Sequence, residues 1–429
     1  MVSREVLLDV IKDQNTAMSK LVSSRDIIKR DLSFQVSSLA FGAAYIITGP
    51  RRSGKSVFSF QAIQGSKYGY VNFDDERLDI QFNELNRVLE AIVQISGSPE
   101  IIVLDEIQNV PGWEKFVSRI VVDRKVMITG SNSRLMSKEL STLMTGRHID
   151  QELFPFSFME FLAFKRITIP RTDGFTVEEK IRIMSNLEEY LTNGGFPLSI
   201  KLGQNFLVDL FKDMVERDVI QRYNIRMKSK LKDLARYLIS NSSTEISYNR
   251  LRIQFRISGK STIQSWIMYL QNSYLIFTIE RFSFKLKESI MAPKKVYCVD
   301  TGLINAFTNN YERGKIIENA FFLFLLRTKA YTDRVMEINY WKDHTGREVD
   351  FVLRHGRSVF ALINVSYATL IDNIREREIN SLIRASVELN CRNLIIITWD
   401  YLGEISNDDK TIRCIPLWRW LLNQSAALS

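Results

Sequence analysis

At 429 residues the chain is long enough for about three domains, and its 45% hydrophobic and 25% charged content is that of globular protein, which excludes disordered and fibrous classes. Three scattered cysteines (Cys298, Cys391, Cys414) and three distant histidines exclude a disulfide framework and a structural zinc site, and favour a reducing, cytoplasmic setting. The net charge is +9, and its placement matters more than its size: residues 222–295 hold 15 Lys and Arg against 4 Asp and Glu, so this window carries the whole basic excess and reads as a partner surface, nucleic acid first.

No apolar h-region opens the chain, so no signal peptide is expected. The longest apolar run, at 320–326, is too short to span a bilayer, so no membrane partner is expected. Residues 1–33 read as an N-terminal helical segment, with Val6, Leu7, Val10 and Ile11 at helical spacing. Across 34–158, short apolar runs at 44–48, 68–73, 101–105, 126–130 and 149–154 alternate with helix-length stretches. That alternation predicts buried parallel strands and an α/β domain. Residues 159–225 return to a helical pattern, broken at 170–174 and by NGGFP at 193–197. Residues 226–292 have helix–turn–helix spacing. Residues 293–429 are mixed α/β, with a helix near 316–328, strands near 338–342, 348–353 and 358–365, a helix near 373–389 and a strand at 394–399.

GPRRSGKS, 49–56, fits the phosphate-loop pattern G-x-x-x-x-G-K-[ST], follows the strand AYIIT and precedes a helix-compatible VFSFQAI. That order aims backbone N–H groups and a helix dipole at a phosphate. The candidate cradle is Gly49, Pro50, Arg51, Arg52, Ser53, Gly54, Lys55, Ser56 and Val57. Gly49 and Gly54 permit close backbone approach, Lys55 sets a cation on the β- and γ-phosphates, and Ser56 offers a hydroxyl to Mg²⁺. A solvated basic turn is the alternative. IIVLDE, 101–106, ends a buried strand in two acids. Asp105 is the candidate second metal residue, acting through water, and Glu106 the group that orients or deprotonates the attacking water. No N-K-x-D motif reads guanine, which favours ATP over GTP. In TGSN, Ser131 is the candidate sensor of the γ-phosphate, with Asn132 second and a plain strand-end turn the alternative. Arg147 follows a helical stretch at 134–145. On a subunit edge of a homo-oligomer it would stabilise charge in a neighbour's site; a structural salt bridge is the alternative.

These stretches, together with YVNFDDERL, IIVLDEIQNVPGWEKFV, MITGSN, the GR before ELFPFSFMEFL, YLTNGGFP, KKVYCVDTGL, ENAFFLFLL and GREVDFVL, resemble ATPases of the AAA+ superfamily. The similar group is prokaryotic, with a winged-helix-like middle and a C-terminal PD-(D/E)xK nuclease-like domain. The resemblance implies a P-loop parallel sheet of order 5-1-4-3-2 and a helical lid after Phe158. Asp74 and Asp75 match the group's recurring acids after the second strand and have no assigned role.

Residues 259–287 read as a helix and then a hairpin. Ser261 and Thr262 are the expected cap, Ile263, Trp266, Ile267 and Leu270 an apolar stripe, and LIFTIERF followed by KLK the strands. With LRIQFRISG before it, this is the plan of a winged helix, which the resemblance also implies. Arg252, Arg256, Lys260, Lys285 and Lys287 are the candidate DNA contacts; a module that contacts only protein is the alternative. Toward the C-terminus, Glu318 in a helix and Asp350 in a strand match the first two acids of the nuclease arrangement, and the resemblance implies that fold. The third strand carries Asn364 where an acid is expected and Ser366 where a lysine is expected. Lys342 is a candidate displaced lysine. Glu318, Asp350 and Asn364 thus read as a degenerate nuclease site that binds nucleic acid or protein rather than cutting. The expectation is a Mg²⁺-dependent ATPase acting on branched or damaged DNA. A signalling or defence switch with a protein partner, and a metal-dependent nuclease, are the alternatives.

Overall fold

The computed structural model describes residues 2–23, 27–34, 38–132, 146–169, 174–308, 312–407 and 409–422. They divide into two units, 1–155 with 272–274, and 156–271 with 275–429. In the first unit the five apolar runs form β1 (Ala44–Thr48), β2 (Tyr68–Asn72), β3 (Ile101–Asp105), β4 (Lys125–Gly130) and β5 (His148–Glu152). All pair in parallel in the order β2-β3-β4-β1-β5, the expected order read from the other edge. Every residue of β1 and β3 is buried, as an unbroken apolar run requires when both faces of a sheet are covered. The register sets Thr48 beside Gly130, Thr129 beside Asp105 and Asp105 beside Asn72. The strand ends are therefore level, and the loops that follow them meet at one edge of the sheet.

An N-terminal helix, α1 (Arg4–Val22), buries Leu7, Val10 and Ile11 in the core of this unit and leaves Val6 exposed. Burial of each such side chain stabilises by about 1.5–3 kcal/mol. Beyond that stripe, the Gln14 amide answers both backbone groups of Asn72: Nε2 donates to its carbonyl (3.0 Å) and Oε1 accepts from its N–H (2.9 Å). This covers the open edge of β2. Gln14 also donates to Asp75 (3.0 Å), which hydrogen bonding to Arg77 holds at a pKa of about 2, and Arg77 reaches Asp13 of α1 at 2.9 Å. Asp75 thus anchors the N-terminal helix, a role that spacing alone left open.

The second unit holds a nine-stranded sheet in the order β13-β14-β12-β11-β10-β9-β7-β8-β6. Its strands are β6 (Thr244–Ile246), β7 (Ile276–Arg281), β8 (Lys294–Cys298), β9 (Met336–Lys342), β10 (Glu348–His355), β11 (Ser358–Val365), β12 (Leu394–Thr398), β13 (Gly403–Asn407) and β14 (Lys410–Pro416). Helices at Lys228–Ser240, Tyr248–Gln254 and Lys260–Asn272 precede β7, and Ile263, Trp266, Ile267 and Leu270 are core. Two local expectations are corrected. Ser261 and Thr262 lie inside the helix, which starts at Lys260, rather than capping it. The return strand of the hairpin is β8, not KLK, because Leu286–Met291 coils into a short helix first. β7 pairs antiparallel with β8 on one side and parallel with β9 on the other, through Glu280 and Arg281. The sheet therefore runs without a break across the position where 226–292 was expected to end. The β13–β14 hairpin and the helix Leu417–Leu422 were not anticipated. Of the 170–174 break, residues 170–173 lie outside the described residues, as does the stretch 134–145. No described helix is long and apolar enough to cross a membrane.

The NGGFP stretch ends the helix Val177–Asn193, and its glycines have a packing reason. Asp300 is buried, which lifts its pKa to about 6, and its carboxylate accepts from the N–H groups of Gly195 (2.6 Å) and Leu303 (3.3 Å). A Cβ on Gly194 would sit 1.9 Å from Asp300 Oδ1. Gly203 has almost the same backbone angle (φ 72° against 77°) but open space around it. Gly194→Ala is expected to destabilise the protein by about 1–3 kcal/mol more than Gly203→Ala, the difference being the clash alone; urea denaturation midpoints measure it.

Candidate functional site

At the level strand ends of the first unit, residues 49–54 fold back over the start of the helix α2 (Lys55–Ala62). A Cβ on Gly49 would lie 2.2 Å from the Leu153 carbonyl oxygen, so only glycine lets the loop pass β5. Gly54 opens α2 at φ 95°. Lys55 is buried, and its Nζ donates to the carbonyls of Gly49 and Pro50, each at 3.1 Å, and lies 3.8 Å from Glu106 Oε1. Among the described residues the buried hydroxyls of Ser53 and Ser131 have no hydrogen-bond partner. A loop of backbone donors, orphan hydroxyls and a lysine hydrogen-bonded to two neutral carbonyls is fitted to receive an anion.

One residue that shapes this loop had no signal in the sequence. Buried Arg30 donates from Nη1 to the Ser53 carbonyl (3.0 Å) and from Nη2 to the Phe154 carbonyl (2.6 Å), tying the loop to the chain beyond β5. No motif or periodicity marks an arginine in this position.

The two acids at the end of β3 differ in environment. Asp105 accepts from the hydroxyls of Tyr70 (2.8 Å), Thr129 and Ser56. Burial and then the Glu106 charge push its pKa up, against those three hydrogen bonds. For Glu106 burial acts in the same direction, but the Lys55 and Arg51 cations outweigh it and hold the carboxyl below its usual range. Glu106 is thus ionised at neutral pH. Its Oε2 accepts from the Gln108 amide and from the Ser131 N–H at 3.3 Å. Glu106 also has φ 53°, a left-handed angle that costs a non-glycine residue about 1–2 kcal/mol, and its N–H is fixed on the Thr129 carbonyl at 3.0 Å. The Ser56 hydroxyl against Asp105 is a hard oxygen pair of the kind that would suit Mg²⁺.

Ser131 follows β4 beside this group, and Asn132 is buried next to it. Arg51 reaches Asp74 at 3.4 Å. Arg147 is elsewhere. It is exposed, and its carbonyl accepts from the Ala44 N–H, at the opposite end of β1 from the loop. Five residues of strand separate the two, about 16 Å, which is beyond side-chain reach.

In the second unit Glu318, Asp350 and Asn364 line a cleft of about 910 Å³. The Asn364 side-chain Oδ1 accepts from the Asp350 N–H (3.0 Å). Lys342 is not between the acids, a correction to its candidacy: it pairs with Glu245 (2.7 Å) and Glu348 (2.9 Å). The lysine between Glu318 and Asp350 is Lys295 of β8, overlooked within KKVYCVD although the stretch itself stood out. Of the candidate nucleic-acid contacts, Arg256, Lys260, Lys285 and Lys287 are exposed and Arg252 half-buried, and Lys285 is paired with Glu288 at 3.0 Å.

A family model described as "AAA domain" matches residues 42–162, and two described as domains of unknown function, DUF8612 and DUF4143, match 184–313 and 313–420. The uncharacterized protein MJ1544 of Methanocaldococcus jannaschii is 32% identical over 446 aligned positions, covering 98% of this chain and 96% of that protein. An uncharacterized protein of Haemophilus influenzae is 29% identical, covering 79% and 85%. Among solved structures, the Walker-type ATPase paby2304 of Pyrococcus abyssi matches at a TM-score of 0.41 and 14% identity, over 62% of this chain and 90% of that one. The Aeropyrum pernix ORC1 protein in complex with DNA matches at 0.29 and 13%, over 72% and 92%.

Arg30→Ala removes two charged donors from buried carbonyls. It is expected to destabilise the protein by about 2–4 kcal/mol, measured as a lowered denaturation midpoint, although Arg30 lies outside every motif in the sequence.

Proposed function

The chain belongs to the family of the uncharacterized protein MJ1544 of Methanocaldococcus jannaschii, and its residues 42–162 are an AAA-type ATPase domain; from that premise we propose that it hydrolyses ATP with Mg²⁺ and acts on DNA. The observation that carries the first part is the meeting of Lys55, Ser56, Asp105 and Glu106 at one edge of the parallel sheet. Lys55 exchanges the two loop carbonyls for phosphate oxygens, while the loop N–H groups and the start of α2 hold the β-phosphate. Ser56 and Asp105 would hold Mg²⁺, which when bound would supply positive charge against the phosphate oxygens. Glu106, kept ionised, takes the proton of the attacking water, and the Ser131 N–H fixes its orientation. Arg147, out of reach of its own loop, serves the site of a second copy. Lacking N-K-x-D, the site takes adenine.

DNA is supported by element order and by surface charge. A helix, β6, two helices, β7 and β8, with β8 paired between β6 and β7, is an order compatible with a winged helix and supports that reading. Arg252, Arg256, Lys260 and Lys287 form no ion pair among the described residues. The local charge is nevertheless smaller than the sequence count, because Lys228 and Lys232 pair with Glu216, and Lys295 with acids of the cleft, all outside the window. A second reading, a nucleotide switch with a protein partner, is favoured by exposed Phe284, Leu286, Ile290 and Met291 on the segment between β7 and β8. Asn364 and Ser366 leave the nuclease reading without support.

Lys55→Ala is expected to abolish tight ATP binding in calorimetry, while Glu106→Gln retains binding and slows turnover by roughly 10²-fold or more; an active Glu106→Gln protein would identify another base. DNA affinity should fall with salt at a log–log slope near −4 for about four phosphate contacts, and Arg252→Ala with Lys260→Ala should reduce that slope by about 2. No binding at low salt and no stimulation of hydrolysis by DNA would leave the protein-partner reading.

A further inference from the structure

Lys295 Nζ lies 2.8 Å from Asp350 Oδ1, 2.7 Å from Glu348 Oε1 and 3.1 Å from Glu318 Oε1, and the side chain is buried. An ammonium has three N–H donors, and here each has its own carboxylate. The distances are those of charge-assisted N–H···O bonds and are longer than the roughly 2.0–2.2 Å at which Mg²⁺ or Mn²⁺ takes oxygen. Two of the other carboxylate oxygens are engaged as well: Asp350 Oδ2 accepts from the Val365 N–H (2.9 Å) and Glu348 Oε2 pairs with Lys342 (2.9 Å). The Tyr297 hydroxyl donates to Glu318 Oε1 (2.8 Å), the oxygen that also faces Lys295. Where a third acid would complete a nuclease-type metal site, Asn364 spends its amide on the Asp350 N–H and the Glu378 carbonyl. Burial opposes the charge on Lys295, but Asp350 and Glu318 outweigh it and keep the amine protonated. Among the described residues no group of three His, Cys, Asp or Glu is disposed to hold a metal ion.

We propose that Lys295 is a resident cation that has taken the place of the divalent ion in this cleft, so that the C-terminal domain works without metal and does not cut phosphodiesters. Metal-ion chemistry of the nuclease type does not fit the residues present, and the cause is a lysine on a strand outside the three elements that carry the expected acids. The inference is independent of the ATPase and DNA readings, since neither requires this cleft.

The test is Mn²⁺ binding followed by electron paramagnetic resonance on the full-length, nucleotide-free protein. The wild type is expected to show no site up to about 1 mM that depends on Asp350, and to leave supercoiled plasmid intact with Mn²⁺. Lys295→Met is expected to gain a site at least about 10-fold tighter, lost again in Lys295→Met with Asp350→Asn. A wild-type site abolished by Asp350→Asn overturns the proposal, and so does a folded Lys295→Met protein that gains no site. Should Lys295→Met not fold, the wild-type comparison with Asp350→Asn decides alone.

Discussion

An ionised group taken out of water must be matched where it is buried, and that constraint organises both units of this chain. It is met in two different ways. Lys55 is held by two neutral carbonyls and a carboxylate at 3.8 Å, partners that a phosphate readily outbids. Lys295 is held by three carboxylates within 3.1 Å, one for each of its three N–H donors. The first arrangement suits a cation that changes partners in a cycle, and the second suits one that stays. Asp105 and Asp300 extend the pattern: each buried carboxylate is answered by donors from the protein, hydroxyls for the former and backbone N–H groups for the latter.

What was legible in the sequence was whatever local spacing encodes. The five apolar runs became the parallel strands within a residue or two, and the phosphate loop lies between β1 and α2 because both patterns are contiguous in the chain. The adjacency of Lys55, Asp105 and Ser131 followed from level strand ends, a property of parallel registers rather than of any one residue. Gln14, Arg30 and Lys295 were not legible. Each acts on a partner 23 to 124 positions away and belongs to no pattern of its own. Glu106 shows the same limit: its place in a motif was plain, but its left-handed angle was not.

The basic window is the instructive error. Counting charge over 222–295 treated the window as its own environment, yet Glu216, Glu318, Glu348 and Asp350 lie outside it in sequence and beside it in space. Net charge per segment describes a surface only when the segment's ion pairs are internal to it. Arg252, Arg256, Lys260 and Lys287 survive this correction, whereas buried Lys295 was never part of a surface.

β8 belongs at once to the helical middle and to the C-terminal half of the second unit. It completes the hairpin with β7, and its Lys295 is bonded to residues of the helix Arg313–Tyr331 and of β10. The family boundary at residue 313 therefore divides homology but not mechanics. Excising either half would strand a buried charge rather than free a module.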